Sequence, residues 1–234
     1  MTKPAFHAYP TREALAEALS AGVAAVLAGA IATRGSATLA VSGGSTPKLF
    51  LEHLARAEID WAQVEIMLVD ERWVPETSDR SNHAMVRRHL MNGPASAAHL
   101  LPFYTGHETP DAAIEELELR YCRLTRPFDA VILGMGSDGH TASFFPGADN
   151  LDALLRSDGN DAVAAVRAPG ANEPRITLTL PLLVDARLLA LHIEGEEKRA
   201  VYERALSGDD ASQMPVRAVL RAPRPQPINV FWAP

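Results

Sequence analysis

The chain is predicted to be an α/β protein with a mostly parallel sheet covered by helices on both faces. Three observations carry that prediction. Short apolar runs recur at Ala37–Val41 (ATLAV), Val64–Val69 (VEIMLV) and Phe128–Leu133 (FDAVIL). Each run stops abruptly at a polar or glycine-rich loop, and segments with helical spacing lie between them. In sheets of this kind ligands bind beyond the carboxyl ends of the strands, so the three loops are where chemistry is expected.

The elements follow in order. Thr11 is a suitable N-cap for a first helix whose apolar positions are Ala14, Leu15, Ala18, Val23, Val26 and Leu27. Glu13, Glu17, Ser20 and Gly22 interrupt that helix, which therefore reads as amphipathic and not as a membrane span. After the strand Ala37–Val41 comes the turn SGGSTP (Ser42–Pro47), then a helical pattern from Lys48 to Ala57 with Pro47 near its first turn. Glu115–Thr125 is helical in pattern. The later chain reads as helix around Leu151–Ser157, strands around Ala162–Arg167, Arg175–Thr179 and Leu188–Ile193, helix Glu196–Leu206 and a closing strand Ile228–Trp232. The proline-rich RAPRPQP (Arg221–Pro227) is too short to separate domains, so residues 1–234 are expected to form one domain.

Composition narrows the classes of function. With 47% hydrophobic and 22% charged residues in 234, the chain has enough apolar surface for a substantial core. A formal net charge of -7 argues against nucleic-acid binding and means that an anionic ligand needs a local basic cluster. Met1–Tyr9 lacks the basic stretch and apolar run of a signal peptide, so a cytoplasmic protein with no membrane partner is expected. The single cysteine, Cys122, has no disulfide partner and no neighbouring histidine, and is expected to be a buried structural thiol. No HxxxH or Cys/His spacing suggests a metal, and no cofactor is expected.

Three strand-end clusters carry candidate chemistry. In Ser42–Pro47, Gly43 and Gly44 let the backbone approach a ligand, the first amides of the next helix favour an anion, and Ser45 and Thr46 add hydroxyls. A tight turn with a capping serine accounts for the same residues. Asp70-Glu71-Arg72 would bring carboxylates and a guanidinium into the same crevice, or form a surface ion pair. Gly134–His140 (GMGSDGH) sets one histidine in a glycine-rich loop, where it is either a proton-transfer group or merely solvated. The histidines at 7, 53, 83, 89, 99, 107 and 192 lack such a context. None of Ser45, Ser137 and Ser143 sits in the GxSxG of a nucleophile elbow, which leaves water as the better nucleophile.

Together and in this order, SGGSTP, DERWVP followed by SN, and GMGSDGHTASFFPG resemble the 6-phosphogluconolactonase family, from about Val41 to Lys198. The resemblance implies a Rossmann-like three-layer α/β/α fold with a mostly parallel sheet, shared with glucosamine-6-phosphate deaminase and ribose-5-phosphate isomerase. It also implies hydrolysis of 6-phospho-D-glucono-1,5-lactone to 6-phospho-D-gluconate in the oxidative pentose phosphate pathway. On that likeness His140 is the general base and Arg72 contacts the substrate near its reacting end. Phosphate binding falls to Gly43, Gly44, Ser45 and Thr46 with Arg175 of PRITLT and Lys198 of GEEKR. Ser137 stands where many members carry proline, and Phe144 where leucine is common.

The mechanism expected from these residues has His140 deprotonate water, with Arg72 or amides of the Gly136–Gly139 loop stabilising the oxyanion and either Asp138 or Asp70 orienting the imidazole. The partner expected is the small sugar-phosphate lactone, and the protein itself a monomer or weak homodimer. Two rivals are a sugar-phosphate deaminase or isomerase and a non-catalytic sugar-phosphate sensor. Deaminases resemble NGHIAFNEPG in the third cluster, where this chain reads DGHTASFFPG, with Phe145 in place of their ring-opening glutamate. About ten residues precede the first helix, too few for the helix-turn-helix module a regulator needs.

Overall fold

The computed structural model describes residues 3–234. The chain opens with β1 (Ala5–Ala8) and α1 (Arg12–Arg34). Thr11 caps α1 by accepting the Ala14 N–H at 3.1 Å, and Gly35 ends it at φ +79°, donating to the Ile31 carbonyl at 2.8 Å. Among the described residues, α1 is the one helix long and apolar enough to pass for a membrane span. Instead Leu15, Leu19, Val23 and Leu27, four residues apart, are fully buried against the sheet, while Ala14, Ala18 and Val26 are half-buried beside that stripe.

Next come β2 (Ala37–Val41), α2 (Lys48–Leu54), β3 (Val64–Leu68), β4 (Asp70–Arg72), α3 (Asn82–His89) and β5 (His99–Leu100). They are followed by α4 (Ile114–Tyr121), β6 (Phe128–Leu133), α5 (Leu151–Leu154), β7 (Val163–Val166) and β8 (Arg175–Leu178). The chain closes with α6 (Leu180–Val184), β9 (Ala186–Glu194), α7 (Gly195–Ser207), α8 (Val216–Leu220) and β10 (Asn229–Ala233).

The main sheet has seven strands in the order β1-β10-β9-β6-β2-β3-β5, every pair parallel. Every residue of β2 and β6 is buried, as strands covered on both faces require. Helix α1 crosses β2, β6, β9 and β10 and packs on α2, while α6 lies against β6 and β9. From β2 the chain proceeds outward through β3 to β5, then returns to add β6 on the other side of β2. The order therefore reverses between β2 and β6, and a crevice opens past their carboxyl ends.

Two expectations change. The Asp70–Arg72 segment and the strands near 163 and 175 leave the main sheet and form a second, antiparallel one, β4-β8-β7. Val69 is the junction, donating to the Val41 carbonyl at 3.0 Å and accepting from Leu178 at 2.9 Å. Cys122 is exposed, not buried. The buried stripe of α4 and the turn after it runs Leu117, Tyr121, Leu124, and Cys122 falls one residue off it, at the helix end.

Candidate active site

The crevice beyond β2 and β6 holds a cavity of about 340 Å³, within the usual range for a small-molecule site. Ser42 joins its two halves. Its hydroxyl donates to the Ile132 carbonyl at 3.1 Å and accepts the Gly134 N–H at 2.9 Å, tying the end of β2 to the end of β6. The cavity lining includes Gly43–Pro47, Asp70, Arg72, His140, Arg175 and Lys198, so the residues proposed from all three sequence clusters meet there. Asp138 stands just behind, against His140.

On the β2 side, Gly43, Gly44, Ser45 and Thr46 connect the strand to α2. Among the described residues none of their four N–H groups, and neither hydroxyl, has a partner within the protein. Gly44 requires glycine for its backbone, at φ +92°. Lys198, in the first turn of α7, lines the cavity from the end of β9.

On the β6 side the loop is closed upon itself. The N–H of Gly136 donates to the His140 carbonyl at 2.8 Å, that of Gly139 to Gly136 at 3.2 Å, and that of His140 to the Asp138 carboxylate at 3.1 Å. The amides of Gly136 and Gly139 are thus engaged within the loop, which leaves the N–H groups of Ser137 and Asp138 for the oxyanion role expected of it. The loop also presents a side chain. His140 Nδ1 lies 2.6 Å from Asp138 Oδ1, and its Nε2 has no partner among the described residues. Of the two carboxylates expected to orient the imidazole, Asp138 touches it, whereas Asp70 accepts from the Ser143 hydroxyl. Partial burial tends to raise the Asp138 pKa, but the hydrogen bond and charge of His140 outweigh it and hold the carboxyl below its ordinary value.

Gly136 is glycine because of that pair: a Cβ there would fall 2.1 Å from His140 Nδ1 and 2.5 Å from Asp138 Oδ1. The loop is also held from outside. Val216 donates to the Gly139 carbonyl at 2.9 Å, and Met214 packs where a Gly139 side chain would stand.

The small sheet brings the guanidinium groups. Arg72 and Arg175 are register partners on β4 and β8. Arg175 is buried, 3.8 Å from Asp70 and over the ring of Phe145, whose ring in turn packs on His140 with centroids 4.3 Å apart. Burial lowers the Arg175 pKa and Asp70 opposes that effect; the guanidinium remains charged at neutral pH. Arg72 donates through Nη1 to the Arg80 carbonyl at 2.5 Å, while its Nε is buried without a partner. Asp70 accepts from the Ser143 hydroxyl at 2.6 Å. Ser143 is fully buried, which removes it as a nucleophile.

Alternation along β4 divides the carboxylates expected to share the crevice. Asp70 and Arg72 face the cavity; Glu71 points away and is 1% exposed. It accepts the N–H groups of Arg72 (2.7 Å), Asn82 (2.8 Å) and His83 (2.7 Å) and the Ser81 hydroxyl (3.0 Å). Burial raises its pKa above the ordinary carboxylate value, these donors working against the rise.

Two lining residues had been given no role, Asn82 of the SN that follows DERWVP and His192. Asn82 opens α3 and leans over Gly43. His192, set aside for want of a motif, is 2% exposed near the end of β9, beneath Phe50 and 3.1 Å from Glu194. Its signal was positional, since it sits at the carboxyl end of a parallel strand. Among the described residues no cluster of His, Cys, Asp or Glu could hold a metal ion.

The family described as "Glucosamine-6-phosphate isomerases/6-phosphogluconolactonase" matches residues 10–232. A 6-phosphogluconolactonase of Rhizobium meliloti is 48% identical over 228 residues, covering 97% of this chain and 98% of its own. Its counterpart in Mesorhizobium japonicum is 47% identical over 233 residues, covering 98% and 95%. The crystal structure of a 6-phosphogluconolactonase from Shewanella baltica superposes with a TM-score of 0.96 at 39% identity, covering 100% of this chain and 99% of that one. Fold and sequence agree: the chain belongs to the glucosamine-6-phosphate isomerase/6-phosphogluconolactonase family.

Proposed function

We propose that the chain hydrolyses 6-phospho-D-glucono-1,5-lactone to 6-phospho-D-gluconate, the step its resemblance places in the oxidative pentose phosphate pathway. One observation supports this reading above the rest. A single cavity holds a histidine with one nitrogen on a carboxylate and the other open, facing a turn whose amides have no partner of their own.

The phosphate docks in the Gly43–Thr46 turn, with the charges of Arg175 and Lys198 offsetting the net charge of the chain. Docking fixes the lactone so that C1 lies near His140. A proton on Nδ1, shared with Asp138, leaves the Nε2 lone pair free to accept a proton from water as its oxygen attacks C1. Charge develops on the former carbonyl oxygen, which Arg72 stabilises. The tetrahedral adduct collapses, the bond from C1 to the ring oxygen breaks, and that oxygen recovers the proton from His140. The product is the open-chain acid, and the imidazole ends neutral as it began. No cofactor or metal enters the balance.

Hydrolysis of freshly generated phosphorylated lactone, corrected for spontaneous opening, tests the reading when run beside unphosphorylated gluconolactone and His140→Ala. The expected outcome is acceleration that depends on the phosphate and falls by about 10²–10⁴ in the variant. Full catalysis in His140→Ala would remove the assigned base. No acceleration by the wild type would favour glucosamine-6-phosphate deamination, and after that a ligand-binding role.

A further inference from the structure

Adjacent glycines in the turn are glycines for different reasons. Gly44 has nothing within 4 Å of where a Cβ would stand and is set by its positive φ. Gly43 is not in the left-handed region, yet a Cβ on it would lie 1.9 Å from Asn82 Oδ1, 2.0 Å from Cγ and 2.5 Å from Nδ2. The space over Gly43 is taken by the carboxamide of Asn82.

That carboxamide is itself fixed. Asn82 is 3% exposed; its N–H donates to Glu71 Oε1 at 2.8 Å, and its Nδ2 donates to the Asp70 carbonyl at 3.0 Å. Its neighbours Ser81 and His83 bond the other Glu71 oxygen, so the buried carboxylate gathers the whole start of α3. Asn82 thus spans the cavity wall, from the strand that carries Asp70 and Arg72 to the turn that follows β2.

We propose that Asn82 is a positioning residue, which sets the turn Gly43–Thr46 at its distance from β4 and thereby tunes phosphate binding more than the chemical step. The proposal rests on the reading that this turn holds the phosphate. Gly43 is the other half of the device, small because Asn82 must lie on it.

The test is a double-mutant cycle of Gly43→Ala, Asn82→Ala and the combined variant, each checked for folding by circular dichroism. Two readouts are taken: calorimetric binding of inorganic phosphate, and KM and kcat for the phosphorylated lactone. In Gly43→Ala, phosphate binding is expected to weaken about tenfold or more, since the methyl group and Asn82 compete for one space. In Asn82→Ala the KM should rise by a larger factor than kcat falls. The combined variant should bind phosphate more tightly than Gly43→Ala alone, because the second substitution empties the space the first one fills.

The proposal is overturned by a Gly43→Ala protein that binds phosphate as the wild type does, by a combined variant no better than Gly43→Ala, or by an Asn82→Ala protein that loses kcat at unchanged KM. A wild type that binds no phosphate overturns it together with the reading of the turn. A wild type that binds phosphate but leaves the lactone intact defeats the proposed activity alone, and the binding cycle still decides the role of Asn82.

Discussion

The loops after β2 and β6 use the same means at the same end of one sheet, and they do opposite things. Both follow fully buried strands, both are rich in glycine and hydroxyl residues, and one serine hydroxyl ties them together. Yet Gly43–Thr46 keeps its amides unbonded, whereas Gly136–His140 bonds three of its own internally. A loop whose N–H groups are unpaired is suited to an anion that comes and goes. One that ties Gly136, Gly139 and His140 back onto itself is a rigid mount, and what it offers is the imidazole at its tip. Glycine content alone does not separate the two; the fate of the amides does.

The sharpest way to break this comparison is to add one methyl group to the mount. In Gly136→Ala the new Cβ collides with His140 and Asp138, so their contact of 2.6 Å cannot persist. The expected effect approaches removal of the base, a loss of about 10²–10⁴ in kcat. Phosphate binding should be nearly unchanged, because the turn after β2 is untouched. Steady-state kinetics beside phosphate calorimetry checks this, and a variant with normal kcat would show that the loop is no rigid mount.

A smaller effect is expected at Asp138, which is 45% exposed at its side chain. Its pKa is depressed by His140, so the stability it contributes is present above the ordinary carboxylate value of about 3.9 and is lost as pH falls through the lower folded value. It is therefore ionised across the range where the base works. Asp138→Asn keeps the shape but removes the charge that favours the imidazolium. The maximum rate should fall about tenfold, limited by solvent screening of a half-exposed pair. Steady-state kinetics with kcat equal to the wild type would mean that Asp138 does not act on the reacting imidazole.

Much of this was legible in the sequence, and what was not has identifiable causes. The β2, β3 and β6 cores, the cap at Thr11 and the meeting of SGGSTP, DER and GSDGH follow from local pattern joined to the rule that ligands sit beyond strand ends. The second sheet was invisible because nothing local distinguishes Asp70–Arg72 as a loop end from a three-residue strand; the pairing with Arg175–Thr177 is supplied by chain more than a hundred residues away. Cys122 failed by a single residue of helical phase. Asn82, in the SN after DERWVP, was given no role, and His192 was set aside, because each is placed by position, one over a glycine and the other at the end of β9. Glu71 was grouped with Asp70 only because adjacency in sequence hides the alternation of a strand.

The smallest predicted effect tests the open loop. If Gly43–Thr46 binds phosphate mainly through backbone N–H groups, its hydroxyls are additional donors among several. Thr46→Val preserves β-branching and removes one hydroxyl that has no partner in the protein, so nothing in the fold is left unsatisfied by its loss. One neutral hydrogen bond is worth about 0.5–1.5 kcal/mol net, or roughly two- to tenfold in KM, with kcat and thermal stability little changed. That ordering, small here and large at Gly136, is what the two loops require of each other. A Thr46→Val protein that lost catalysis as fully as Gly136→Ala would mean that the turn carries its function on side chains as the histidine loop does, and the contrast between unpaired and spent amides would have to be given up.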